Sequence, residues 1–143
     1  IPLVLNQQNF DNIIVDKLGL TAGNHQESLH ILESSIGRFK NPKHSVTIAI
    51  CGKYNGLHDA YKSIIEAFIH AGIENDARVN VKWVDTEKLE LTGDVEGSFQ
   101  NVDGILIPGG FGDRGIDGKI MASRYAREND IPFFGICLGS NVQ

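Results

Sequence analysis

The hydrophobic pattern changes period at Pro42-Lys43-His44. Upstream, Phe10, Ile13, Ile14 and Leu18 recur at helical spacing, and beyond the Thr21-Ala22-Gly23-Asn24 break Leu29, Leu32, Ile36 and Phe39 do so again. Two short amphipathic helices are predicted, each with an apolar stripe that needs a partner surface. Downstream, the apolar residues gather into short runs. Val46-Thr47-Ile48-Ala49-Ile50 and residues 104–108 read as buried strands, and residues 79–84 and 131–136 as further strands. Between them, Ala60, Ile64, Ala67, Phe68 and Ala71 mark one helix face ahead of Gly72, and a further helix is expected around residues 119–129. Strands alternating with helices predict an α/β fold, an open and mostly parallel sheet with flanking helices and right-handed crossovers. The polar stretch 89–100 reads as a loop with one short turn.

Two glycine turns carry the candidate chemistry. In Pro132-Phe133-Phe134-Gly135-Ile136-Cys137-Leu138-Gly139 a short apolar strand leaves through a turn that sets a cysteine between glycines. Gly135 and Gly139 have no Cβ, so the turn can be tight, and a helix following it would aim N–H groups and its positive dipole end at the sulfur. Such a field favours the thiolate, the reactive form. The second turn, Pro108-Gly109-Gly110-Phe111-Gly112-Asp113-Arg114-Gly115, follows the strand ending in Ile105-Leu106-Ile107. In an open parallel sheet both turns fall at the carboxyl ends of strands, where ligands bind. If the two strands are neighbours, the N–H groups of Gly110 and Leu138 converge beside the Cys137 sulfur and can hold a tetrahedral oxyanion, which is the geometry of acyl transfer. Each motif alone has an ordinary explanation: a cysteine packs well as a small buried hydrophobe, and glycine turns also cradle phosphates or reverse the chain. Their pairing one crossover apart is far more specific.

These two segments resemble the triad-type (class I) glutamine amidotransferases. The likeness narrows to the CTP synthase family, because Gly52-Lys53-Tyr54, Leu57, Asp59-Ala60-Tyr61-Lys62-Ser63, Ile64-Ile65-Glu66-Ala67 and Arg124-Tyr125-Ala126-Arg127-Glu128-Asn129 are similar to that family's amidotransferase domain. The resemblance implies a flavodoxin-like sheet over residues 44–143, incomplete at its C-terminus, with residues 1–43 as the tail of a synthetase domain and an interdomain linker. It implies that Cys137 is the catalytic nucleophile and that Gly110, Leu138 and Gly139 contact the oxyanion or glutamine. The intact enzyme would make CTP from UTP with ATP, magnesium and ammonia drawn from glutamine, with GTP as effector. No cofactor is expected on this chain itself. The implied partners are glutamine and the synthetase domain of the same protein, in a homotetramer.

The same resemblance ranks the remaining residues. Lys53 and Lys62 are candidates for an effector phosphate, since an ammonium suits phosphate, or are ordinary solvated lysines. Phe111 either lies against a bound ligand or pins its loop to the core. Arg114, between glycines, either belongs to a lid over the thiol or forms a surface ion pair. His58 and His70 fall in the first helix region and are rejected as catalytic base, and Cys51 is expected to be buried and inert. A thiol hydrolase of this kind needs a histidine and an orienting carboxylate, which the family carries in a late His-Pro-Glu segment. That segment would lie beyond Gln143, so this chain alone is expected to be inactive. The family continues Gly139 with Met-Gln, whereas here Ser140-Asn141 follows, and Asn141 stands where a glutamine contact is expected. The alternative is a non-catalytic regulatory or assembly module on the same fold.

Composition narrows the picture further. In 143 residues, 41% of them hydrophobic, there is chain enough for one core. A formal charge of -5 argues against general nucleic-acid binding. Cys51 and Cys137 give neither a zinc signature nor a disulfide framework, and a reducing cytoplasm suits them. No apolar run is long enough to span a bilayer and no secretion signal opens the sequence, so no membrane partner is expected, and no metal site is expected on this chain itself.

Overall fold

Parallel strands joined by helices form the body of the computed structural model, which describes residues 2–21, 23, 26–53, 61–110 and 114–141. The order is α1 (Pro2–Gln7), α2 (Phe10–Leu18), α3 (Gln26–Lys40), β1 (His44–Gly52), α4 (Lys62–Glu74), β2 (Ala77–Asp85), α5 (Thr86–Thr92), α6 (Val95–Phe99), β3 (Gly104–Ile107), α7 (Ile116–Glu128) and β4 (Phe133–Gly135), closing on a 3-10 segment at Cys137–Asn141. The four strands pair in the order β2-β1-β3-β4, all parallel. The sequence order reverses between β1 and β3, and in open parallel sheets the carboxyl edge at such a switch point is where ligands bind.

Register decides which face each residue serves. Ala49 pairs with Ile105, and Ile105 with Phe133, so these side chains share one face with Cys51, Val84 and Ile107. That face buries the core against Leu89 of α5, Phe99 of α6, and Ala122 and Ala126 of α7. Phe99 stacks on Tyr125 with ring centroids 5.2 Å apart. On the opposite face, Val79 and Val81 line a cavity with Ile65, Phe68 and Ile69 of α4 and the exposed Phe39 of α3, and Ile48 lines a second one with Phe68. Phe134, on that same face, is 64% exposed.

Three expectations need correction. The stretch 89–100 is not a loop: Asp85 caps α5 by accepting from the N–H of Glu87 and Lys88, and Asp94 caps α6 by accepting from Gly97 N–H at 3.0 Å. Two buried anchors, Leu89 and Phe99, are enough to hold these short helices although most of their residues are polar. The face of α4 is also rotated from the expected one. Ala67 and Ala71 are exposed, the inward residues are Ile64, Ile65, Phe68 and Ile69, and the helix runs through Gly72 to Glu74. Gly72 is buried against the carbonyl of Ala77, where a side chain would collide with the start of β2. Lastly, the N-terminal pattern gives three helices rather than two. α1 packs on α2, α3 packs on α4, and Val4, Leu5, Phe10, Ile13, Ile14 and Leu18 remain exposed. Among the described residues no helix is long and apolar enough to cross a membrane.

Candidate active site

Cys137 sits on a turn that the backbone around it makes obligatory. The β3–β4 ladder ends with Ile136 N–H donating to the Ile107 carbonyl at 2.9 Å. The next residue, Cys137, has φ +53°, a left-handed value that L residues reach at a cost on the order of 1–3 kcal/mol. From there the chain enters the 3-10 segment, where Gly139 N–H donates to the Ile136 carbonyl at 2.9 Å and Ser140 Oγ donates to the Cys137 carbonyl at 2.6 Å. The reversal is so sharp that a Cβ on Gly135 would strike the carbonyl oxygen of Gly139, and one on Gly139 would strike that of Ile107. Only glycine fits at both places. A strained residue between two glycines, on a sharp turn after a strand, is how α/β enzymes push a nucleophile clear of the sheet. Cys137 is exposed accordingly.

The other cysteine is its opposite. Cys51 is 0% exposed within β1, and burial pushes its thiol up to about 12. In that environment it stays protonated and inert, as expected from sequence.

β3 and β4 are neighbours, so both glycine turns leave the same end of the sheet. A Cβ on Gly109 would stand 3.4 Å from the Cys137 Cβ, so the two turns touch. Gly110 is the next residue and is exposed, Leu138 is half-buried, and Gly139 is buried with its N–H given to the Ile136 carbonyl. Gly139 therefore acts within the turn. The helix expected after Cys137 is, over the described residues, this five-residue 3-10 segment, so its dipole is short.

The other described candidates lie before α7, at the end of β1 and at the start of α4. Arg114 is exposed beside Gly115, which caps the N-terminus of α7 with φ +74°. Lys53 leaves the end of β1 half-buried and lies 3.9 Å from the Glu87 carboxylate, a long ion pair. Lys62 is exposed at the first residue of α4. Phe111 and His58 lie outside the described residues. His70 is exposed on α4, while His30 and His44 are exposed on α3 and at the amino end of β1, so no described histidine stands at the Cys137 turn.

Sequence reasoning missed Lys119. It is 5% exposed, and its Nζ lies 3.9 Å from where a Cβ on Gly110 would be. Burial first, and then the charge of Lys53, pull its pKa below the usual lysine value. A signal was there: Lys119 shares with Ala122, Ser123 and Ala126 the i, i+3, i+4, i+7 stripe that α7 buries, and a lysine in such a stripe has a destination other than solvent.

A strained thiol display facing a glycine turn at the carboxyl edge of a parallel sheet defines a class, and comparison with known proteins agrees. Residues 56–142 match the family model "Glutamine amidotransferase class-I", and the chain belongs to that family. More narrowly, it is homologous to the amidotransferase domain of CTP synthase. It is 52% identical over 139 residues to the CTP synthase of Carboxydothermus hydrogenoformans, covering 97% of this chain and 25% of that protein. To the CTP synthase of Deinococcus radiodurans it is 49% identical over 144 residues, covering 99% and 26%. The chain thus spans about a quarter of the length of these curated relatives. Among solved structures, the glutaminase domain of Trypanosoma brucei CTPS with bound acivicin matches with a TM-score of 0.63 and 42% identity, over 68% of this chain and 38% of that one.

Proposed function

We propose that this chain supplies the nucleophile half of a glutamine-hydrolysing site in an enzyme that makes CTP from UTP. The observation that carries the reading is Cys137, held at φ +53° between two glycines whose substitution the backbone forbids, in contact with the Gly109 turn. The Cys137 sulfur attacks the side-chain amide carbon of glutamine. The carbonyl oxygen becomes an oxyanion held by the Gly110 and Leu138 N–H groups, the carbon–nitrogen bond breaks, and the nitrogen takes a proton and leaves as ammonia. Water then cleaves the thioester to glutamate and restores the thiol. Ammonia passes to a synthetase site, where ATP-activated UTP is aminated.

No step on ATP or magnesium is assigned to this chain. Among the described residues no group of three His, Cys, Asp or Glu side chains could hold a metal. Lys53 and Lys62 precede and follow residues 54–60 in sequence and are the cations proposed for a GTP phosphate, and Arg114 is proposed as part of a lid over the thiol. Residues 1–43 are assigned to the tail of the synthetase domain and its linker, and 44–143 to the amidotransferase part. The exposed apolar faces of α1 and α2 support that division. A homotetramer in the cytoplasm completes the proposal.

These 143 residues contain no His-Pro-Glu segment. Among the described residues no histidine stands at the Cys137 turn to protonate the leaving nitrogen, and general acid–base assistance is worth about 10²- to 10⁴-fold. The test is ammonia release from glutamine by this chain, by its Cys137→Ala variant, and by the chain joined to the His-Pro-Glu-bearing remainder of a family member. Turnover is expected only in the joined protein, and Cys137→Ala should abolish it there. Turnover that survives Cys137→Ala would remove the nucleophile assignment, and Cys137-dependent turnover by the 143-residue chain would show its catalytic set to be complete.

A further inference from the structure

Lys119 is costly where it stands. It lies in the buried stripe of α7, Lys53 adds a second positive charge from the end of β1, and among the described residues no carboxylate pairs with it. Withdrawing an ammonium from water costs free energy that an apolar side chain of the same length would not incur. What it does reach is the glycine turn: its Nζ lies against Gly110, and the preceding residue, Gly109, lies against Cys137. A Cβ at Gly110 would stand in ordinary contact with the ammonium at 3.9 Å, and one at Gly109 in ordinary contact with the thiol-bearing carbon at 3.4 Å.

We infer that Lys119 is a positioning residue for the Cys137 site that acts through its charge: its ammonium is, among the described residues, the side-chain group nearest Gly110, stands behind the Gly109–Gly110 turn beside the thiol, and makes the local potential positive. The inference rests on the reading of Cys137 as the nucleophile. Both species formed in that chemistry, the thiolate and the oxyanion, are negative, and a fixed cation behind the turn favours each without touching substrate. Partial withdrawal from water leaves its field less screened than that of an exposed lysine such as Lys62.

The charge can be read without turnover. Cys137 is alkylated with iodoacetate, which is an anion, and with iodoacetamide, which is neutral and of similar size, and each rate is followed by mass spectrometry at Cys137 alone. Changes in thiolate fraction or access move both rates together, so their ratio reports the local potential. In Lys119→Met the iodoacetate/iodoacetamide ratio should fall roughly two- to fivefold at low salt, Lys119→Arg should retain it, and the difference should vanish near 1 M salt. An unchanged ratio in Lys119→Met, or an equal fall in Lys119→Arg, overturns the inference. Circular dichroism confirms that each variant is folded, and Lys119→Gln takes the place of any methionine variant that is not. The two readings fail separately. If Cys137 of the parent chain does not react at all, the nucleophile assignment is wrong, whereas a reactive Cys137 with an invariant ratio removes only the role of Lys119.

Discussion

At the scale of single residues, the site is a set of steric exclusions. Gly135 and Gly139 are there because the backbone folds onto itself, which is a local requirement and was therefore legible in the sequence. A methyl group at 135 meets a carbonyl oxygen with nowhere to retreat. Gly135→Ala is expected to cost about 2–4 kcal/mol in urea unfolding, above the usual overpacking range because the obstacle is backbone, and to slow alkylation of Cys137. A small change in midpoint with normal thiol reactivity would mean that the turn relaxes freely. Cys51 gives the matching pH prediction. The folded state raises its pKa from 9.0 to about 12, so below pH 9 both states hold the proton and nothing is lost. Between those values only the unfolded chain ionises, and stability should fall as pH rises through that window. Cys51→Ala should flatten that part of the profile. Lys119 was not legible in the same way, because its meaning depends on a turn ten residues away in sequence that only the packing of α7 brings beside it.

Elements were read well where their period was pure and badly where one or two anchors decide. β1, β2 and β3 followed from short apolar runs, and α7 differs from expectation only in starting earlier, at Ile116. In 89–100 the pattern is dominated by polar residues, and the helices α5 and α6 exist because Asp85 and Asp94 cap them and Leu89 and Phe99 are pulled into the core. The face of α4 was misplaced for a related reason: alanines fit either side of a helix, so Ala67 and Ala71 drew the stripe away from Ile65 and Ile69. The account of α5 can be checked by contrast within one helix. Leu89 is 1% exposed and Leu91 is 87% exposed. Leu89→Ala should lower stability by about 2–5 kcal/mol, and Leu91→Ala by no more than about 0.5 kcal/mol, in the same urea titration. Similar losses from both would mean that α5 is not docked as described.

At the scale of the whole molecule, an α/β body and a helical arm do different things. α1 and α2 lean on each other and leave apolar faces open, so removal of residues 1–24 should shift the unfolding midpoint of the body by no more than about 0.5 kcal/mol, checked by urea denaturation of both forms. A large loss would show the arm to be part of the core. The body places its chemistry at one edge because all strands run parallel. The turns after β3 and β4 meet there, while the thiol in β1 is sealed beneath α5 and α7. The central claim is that this architecture displays one cysteine and silences the other. The most direct measurement is to treat the native chain with iodoacetamide near pH 8, quench, unfold, and locate the labels by peptide mass spectrometry. The account predicts a label on Cys137 and none on Cys51, with both reacting once the chain is unfolded. Labelling of native Cys51 at a rate comparable to Cys137, or a native Cys137 that stays unlabelled, would contradict it.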